Sequence, residues 1–155
     1  MKLFFQVVIM LLFTGACSEN TITGATLLPM MKTTDSVELI FFKSPDSTRF
    51  FTYIATTDKL LIANLVHDVC GAVQQERDCP KEGKIYCFSA GQIINTIYFV
   101  AEDAHCRHMR YIRNGRLYFF SLSEQLANQL TWYKSMAREP SGTDSTNYQL
   151  NRHVR

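Results

Sequence analysis

Cys106-Arg107-His108-Met109-Arg110-Tyr111-Ile112-Arg113-Asn114-Gly115-Arg116-Leu117-Tyr118-Phe119-Phe120-Ser121-Leu122-Ser123-Glu124 is the stretch that decides the fold class. An Asn-Gly pair between two β-prone runs is the strongest short-range hairpin signal, because both central residues of the favoured turn take positive φ. The stretch therefore reads as two strands, 106–113 and 116–120, joined at Asn114-Gly115. Leu117 and Phe119 face one way, Tyr118 and Phe120 the other. A strand apolar on both faces has to be central or covered. Ser121-Leu122-Ser123-Glu124 then has the form of a capping box, with Ser121 accepting the N3 amide and Glu124 reaching back. Leu122, Leu126, Leu130 and Tyr133 line one face of the helix that follows, widened by Trp132 and Met136, over about 122–137.

Working back from this segment, Lys84–Phe88 and Ile93–Val100 are β-prone runs broken at Ala90-Gly91, and Glu102-Asp103-Ala104 is the next polar break. Gln74–Gly83 is a polar loop carrying Cys79-Pro80. Leu61, Leu65, Val69 and Ala72 recur at helical spacing behind an N-cap at Thr57-Asp58, which predicts a helix over about 58–72, with Gly71 as an alternative end. Val37–Lys43 and Phe50–Ile54 flank the turn residues Ser44-Pro45-Asp46-Ser47 and read as a further strand pair. The element order is β-β-α-β-β-β-β-α. That order predicts an α+β domain, a mostly antiparallel sheet of about five to six strands with two helices packed on one face.

The chain has 155 residues, 46% hydrophobic and 19% charged, which is globular chemistry and allows one small domain plus extensions. A formal charge of +2 gives no global attraction to nucleic acid or to acidic lipid. The folded unit is expected over 36–137, and the Ser-, Thr-, Asn- and Arg-rich stretch 138–155 as a disordered polar tail.

The N-terminus reads as an address. Met1-Lys2 is followed by eleven mostly apolar residues, Leu3 to Phe13, and then by Thr14-Gly15-Ala16. A basic start, a short apolar run and small residues form a secretory leader, here 1–16. Eleven helical residues span about 16 Å, too short for a hydrocarbon core of about 30 Å. Thr14-Gly15-Ala16-Cys17 resembles the lipobox of bacterial lipoproteins, although Thr14 stands where Leu or a similar residue is usual. The resemblance covers the targeting segment alone. It implies lipid on Cys17, a tether over 17–35, and a protein exported and anchored to the membrane of the cell envelope; the alternative is soluble secretion. Leu27-Leu28-Pro29-Met30-Met31 interrupts the polar tether and is expected on the domain surface.

Cys17, Cys70, Cys79, Cys87 and Cys106 are an odd set for an exported chain. With Cys17 given to lipid, Cys70, Cys79, Cys87 and Cys106 remain as disulfide candidates, enough for two bridges in an oxidising compartment. In a simple meander Cys87 and Cys106 lie too far apart to pair with each other.

Arg107, Arg110, Arg113 and Arg116 recur every third residue and are the candidate binding residues, since an arginine fork matches carboxylate and phosphate. The alternative is four solvated positions on an exposed hairpin. His105, Cys106 and His108, with Cys87, are soft donors, but their spacing does not match a zinc site. His67 and Asp68 are adjacent on a helix and are expected to point apart; Glu102-Asp103 lies in a turn. The chain lacks G-x-S-x-G, H-E-x-x-H, P-loop and dinucleotide-binding motifs, so no catalytic residue, metal or cofactor is assigned. The reading is a binding or inhibitory module whose partners are the lipid bilayer through Cys17 and an envelope protein, with no nucleic acid. The alternative is a small-ligand binder or unfamiliar enzyme with a pocket between sheet and helices.

Overall fold

The computed structural model describes residues 22–44 and 47–141. Its elements are a short helix α1 (Gly24–Leu27) and a 3₁₀ turn (Pro29–Thr33), strands β1 (Ser36–Ser44) and β2 (Ser47–Thr56), and helix α2 (Lys59–Val69). Strands β3 (Gly83–Ser89), β4 (Gln92–Val100), β5 (His108–Arg113) and β6 (Arg116–Ser121) follow, then helix α3 (Glu124–Met136). The fold is α+β, in the order expected: a six-stranded sheet, β2-β1-β3-β4-β5-β6, with every neighbouring pair antiparallel. The β5–β6 turn has Asn114 at φ 51° and Gly115 at φ 75°, the geometry that the Asn-Gly pair demands. The β3–β4 turn repeats it with Ala90 at φ 50°, and the Ala90 N–H is held there by Asp35 Oδ2 at 2.6 Å.

One face of the sheet carries Leu39, Phe41, Ile85, Cys87, Ile97, Phe99, Met109 and Phe120 against Leu61, Leu65 and Val69 of α2 and Leu126, Leu130 and Tyr133 of α3. Each large side chain fully buried here contributes about 1.5–3 kcal/mol. Both helices are shorter than their apolar periodicity suggests. Asp58 caps α2, accepting the Leu60 and Leu61 amides. The cap of α3 is Ser123 rather than Ser121, because Ser121 stays in β6 opposite His108. Ser123 Oγ accepts the Leu126 amide, and its own N–H donates to Asp68 Oδ2.

The stretch expected as a tether is in part folded, which corrects the boundary at 36. Leu28 and Met31 enter the core, while Met30 stays 53% exposed. Gly24 lies so close to α2 that an added Cβ would sit 1.6 Å from the Val69 carbonyl oxygen; only glycine fits there. Its N–H donates to the Gly71 carbonyl at 2.8 Å.

Each outer edge of the sheet is met at one position by a segment outside the strands. Tyr53 of β2 exchanges two main-chain hydrogen bonds with Arg138, so the stretch expected as a tail from 138 begins docked on the sheet. Residues 142–155 lie outside the described residues. At the other edge Gln74 N–H donates to the Phe119 carbonyl. β6 is therefore an edge strand, covered on both faces: Phe120 lies in the helix-side core, and Phe119 lies beneath the loop 72–82. That loop rounds the β6 edge and crosses the helix-free face to reach β3 in mid-sheet, placing the Lys81 ammonium 4.9 Å over the outward Tyr98 ring.

Candidate functional site: a cleft between β4 and β5

β4 pairs with β3 along nearly its whole length, and β5 pairs with β6 throughout. Between β4 and β5 the ladder has three pairs, Tyr98↔Arg110, Phe99↔Met109 and Val100↔His108. Beyond them residues 92–97 of β4 and 111–113 of β5 do not pair with each other. A bulge accompanies the parting. Cys87 faces Asn95 and Phe88 faces Ile93, so Ile94 is an extra residue on β4. A bulge bends its strand and increases the local twist, which turns β4 out of line with the next strand.

A cavity of about 410 Å³ opens where the strands part. That is within the range of ligand sites. Its walls mix two kinds of side chain. Lys84, Tyr86, Thr96, Tyr98 and Ile112 belong by register to the helix-free face, whereas Asn95 and Tyr111 belong to the helix side. Such a mixture arises where a sheet is open between two strands. By contrast the space between sheet and helices at Phe41, Phe99 and Leu130 holds about 10 Å³, room for one water at most. The cavity of about 410 Å³ thus lies between strands.

Asn95 is the polar group set deepest in the cleft. It is 9% exposed, and its Nδ2 has no hydrogen-bond partner among the described residues. A buried donor left unpaired costs about 1–3 kcal/mol, which an acceptor brought by a ligand recovers. Lys84 Nζ lies 4.6 Å over the Tyr86 ring and donates to its hydroxyl. Glu38 stands opposite Tyr86; burial pushes its carboxyl up, and Lys84 opposes that shift. Ile93 (48% exposed) and Ile112 (45%) form an apolar rim, continued by Leu117 (43%), the cross-strand partner of Ile112.

The four arginines do not form one patch. Arg107 Nε donates to the Ala101 carbonyl, and Arg113 Nη1 to the Leu27 carbonyl. Arg110 lies over Phe119 and donates through Nη2 to the Cys79 carbonyl at 2.7 Å. Arg116 stays exposed at the hairpin end. Three of the four thus hold the fold's own main chain, and their every-third-residue spacing divides them between the two faces of the hairpin and the loop before it.

Cys79 and Cys106 are bridged, with Cα atoms 6.0 Å apart. Cys87 and Cys106 do not pair, as the meander required. The expected second bridge is not formed: Cys70 and Cys87 are free thiols. Cys87 is locked in β3 under the helices, where burial pushes its thiol up to about 12, and Cys70 is the half-buried C-cap of α2. Cys17 lies outside the described residues.

The bridge fastens the loop 72–82 above His108 and Arg110. His108 is buried, donates from Nδ1 to the Cys106 carbonyl at 2.6 Å, and packs on Phe119. Burial lowers its pKa, and Arg110 and Arg77 act in the same direction against Cys106 and Glu82. Cys106 is consumed by the bridge, and among the described residues no group of three or more His, Cys, Asp or Glu is placed to hold a metal ion. His67 and Asp68, expected to point apart, meet at 3.2 Å; the imidazole is exposed and the carboxylate buried beneath Ser123. Glu102 pairs with Lys134 of α3, and Asp103 accepts the His105 amide within the turn.

Sequence reasoning missed the cleft. Its one sequence signal is Ile93-Ile94-Asn95, where two apolar residues in succession break a strand's alternation. Comparison of the chain with protein-family models, curated proteins and solved structures finds no significant match. No helix among the described residues is long and apolar enough to cross a membrane.

Proposed function

We propose that the chain is an exported, lipid-anchored binding module that holds or restrains a protein partner of the bacterial envelope at the β4–β5 cleft. The observation that carries the binding part is the cleft itself. It combines an unpaired interior strand edge with exposed Ile93, Ile112 and Leu117 around its mouth. Apolar residues grouped at a concavity favour association, because covering them removes apolar surface from water. The leader and the Thr14-Gly15-Ala16-Cys17 sequence support the anchoring part. Two or more acyl chains hold a protein durably at a bilayer.

A photo-crosslinking residue placed at position 112, and separately at exposed Arg49 on β2, tests the reading in intact bacterial envelopes. The expected result is one defined adduct from position 112 and none from position 49. It should be accompanied by loss of membrane attachment in Cys17→Ala. Equal labelling from both positions overturns the binding site, and unchanged attachment of Cys17→Ala overturns the anchor.

A further inference from the structure

The two outer edges of the sheet each meet a non-strand residue at one position, and among the described residues an inner stretch is left unpaired as well. Arg138 blunts β2, and Gln74 blunts β6. Among the described residues, β4, in mid-sheet, has six residues, 92–97, with no strand paired on the β5 side, although the 3₁₀ turn Pro29–Thr33 lies close to this strand. An open edge presents a row of main-chain donors and acceptors, and proteins usually cover such edges unless another strand is meant to pair there. From this geometry, and resting on the binding reading above, we infer the mode and the occupant: an extended peptide segment of the partner adds as a strand to the free edge of β4.

Three features define the peptide. Main-chain pairing with 92–97 sets its extended form, as in other strand additions. Asn95 Nδ2, buried and unpartnered at the cleft wall, takes an acceptor from it, either a carbonyl or a side-chain oxygen. Ile93 and Ile112 receive its apolar residues. The charged side chain on the cleft wall is basic, Lys84, and Arg113 and Arg116 stand at the hairpin end toward which the strands part. Glu38 beside Lys84 offsets part of that charge, but with Arg113 and Arg116 the surroundings stay net basic, so the complementary peptide is apolar and acidic rather than basic.

The test uses the full chain and a displayed library of random linear twelve-residue peptides. Peptides selected on the wild-type protein are synthesised, N-methylated one residue at a time, and measured by fluorescence anisotropy on wild type, Asn95→Ala and Ile112→Asp. Ile112 is exposed, so its variant keeps the fold, which circular dichroism checks. The inference expects peptides bearing at least one carboxylate, a loss of tenfold or more on N-methylating alternate residues, and a loss of about tenfold in Asn95→Ala. It also expects abolished binding in Ile112→Asp and slowed amide exchange within 92–97 when peptide is bound. Basic peptides, peptides indifferent to N-methylation throughout, or selection unaffected by Ile112→Asp overturn it. If the crosslink from position 112 forms while strand addition fails these tests, the partner docks as a folded surface, and the binding reading stands without this mode.

Discussion

Removing the Cys79–Cys106 bridge should cost this domain a large share of its stability. The two cysteines are 27 residues apart in sequence. Cross-linking a loop of that length restricts the unfolded chain by about 3.5 kcal/mol at 25 °C on the chain-entropy account. The total for a domain is about 5–15 kcal/mol, so the loss is roughly a fifth to two-thirds of it. The bridge also pins the Cys79 carbonyl onto Arg110 and holds the loop over His108 and Phe119. The double variant Cys79→Ser/Cys106→Ser avoids leaving an odd thiol. Urea unfolding followed by circular dichroism should show a loss of about 3 kcal/mol or more, and a melting temperature lower by roughly 10–20 °C. Amide exchange in 74–82 should rise more than in β1 and β3, whose ladders the bridge does not touch. A loss below about 1 kcal/mol would refute the reasoning, since the loop would then be held by its other contacts alone.

Two further outcomes follow from groups whose ionisation the fold controls. His108 has an ordinary value of 6.5 and a lowered one in the folded protein. The unfolded chain therefore binds the extra proton first, and stability falls as pH drops below about 6.5 toward the folded value. His108→Gln should lose less stability than wild type between pH 7.5 and 5.5 in urea titrations; equal slopes would count against the burial account. Asp58 accepts the Leu60 and Leu61 amides and the Tyr133 hydroxyl, and these bonds, the Leu60 amide first, hold its carboxyl below 3.8. Asp58→Ala should cost about 1–2 kcal/mol near neutral pH, as loss of a cap does. The difference from wild type should shrink as acid protonates Asp58 below 3.8, and a difference constant down to pH 2 would contradict it.

Local chemistry carried much of the architecture. Asn114-Gly115 specifies its turn because few residues tolerate two successive positive φ angles, and Asp58 specifies a helix start because its oxygen reaches the orphan amides. Features that depend on neighbours distant in sequence were not legible. Ser121 and Ser123 are equally able to cap; pairing of Ser121 with His108 and the Asp68 carboxylate on Ser123 choose between them. Leu28 and Met31 looked like surface residues of a tether until Gly24 brought their segment against Val69.

Periodicity, turn residues and one cap were thus enough for the element order and the fold class, because each acts over a few residues of chain. The partner of Cys79, the dispersal of the four arginines and the opening at Asn95 were decided in three dimensions. A disulfide needs two Cα atoms brought close by the path of the loop, and a cleft between strands needs a bulge and a twist whose effect appears only when the neighbouring strand is placed.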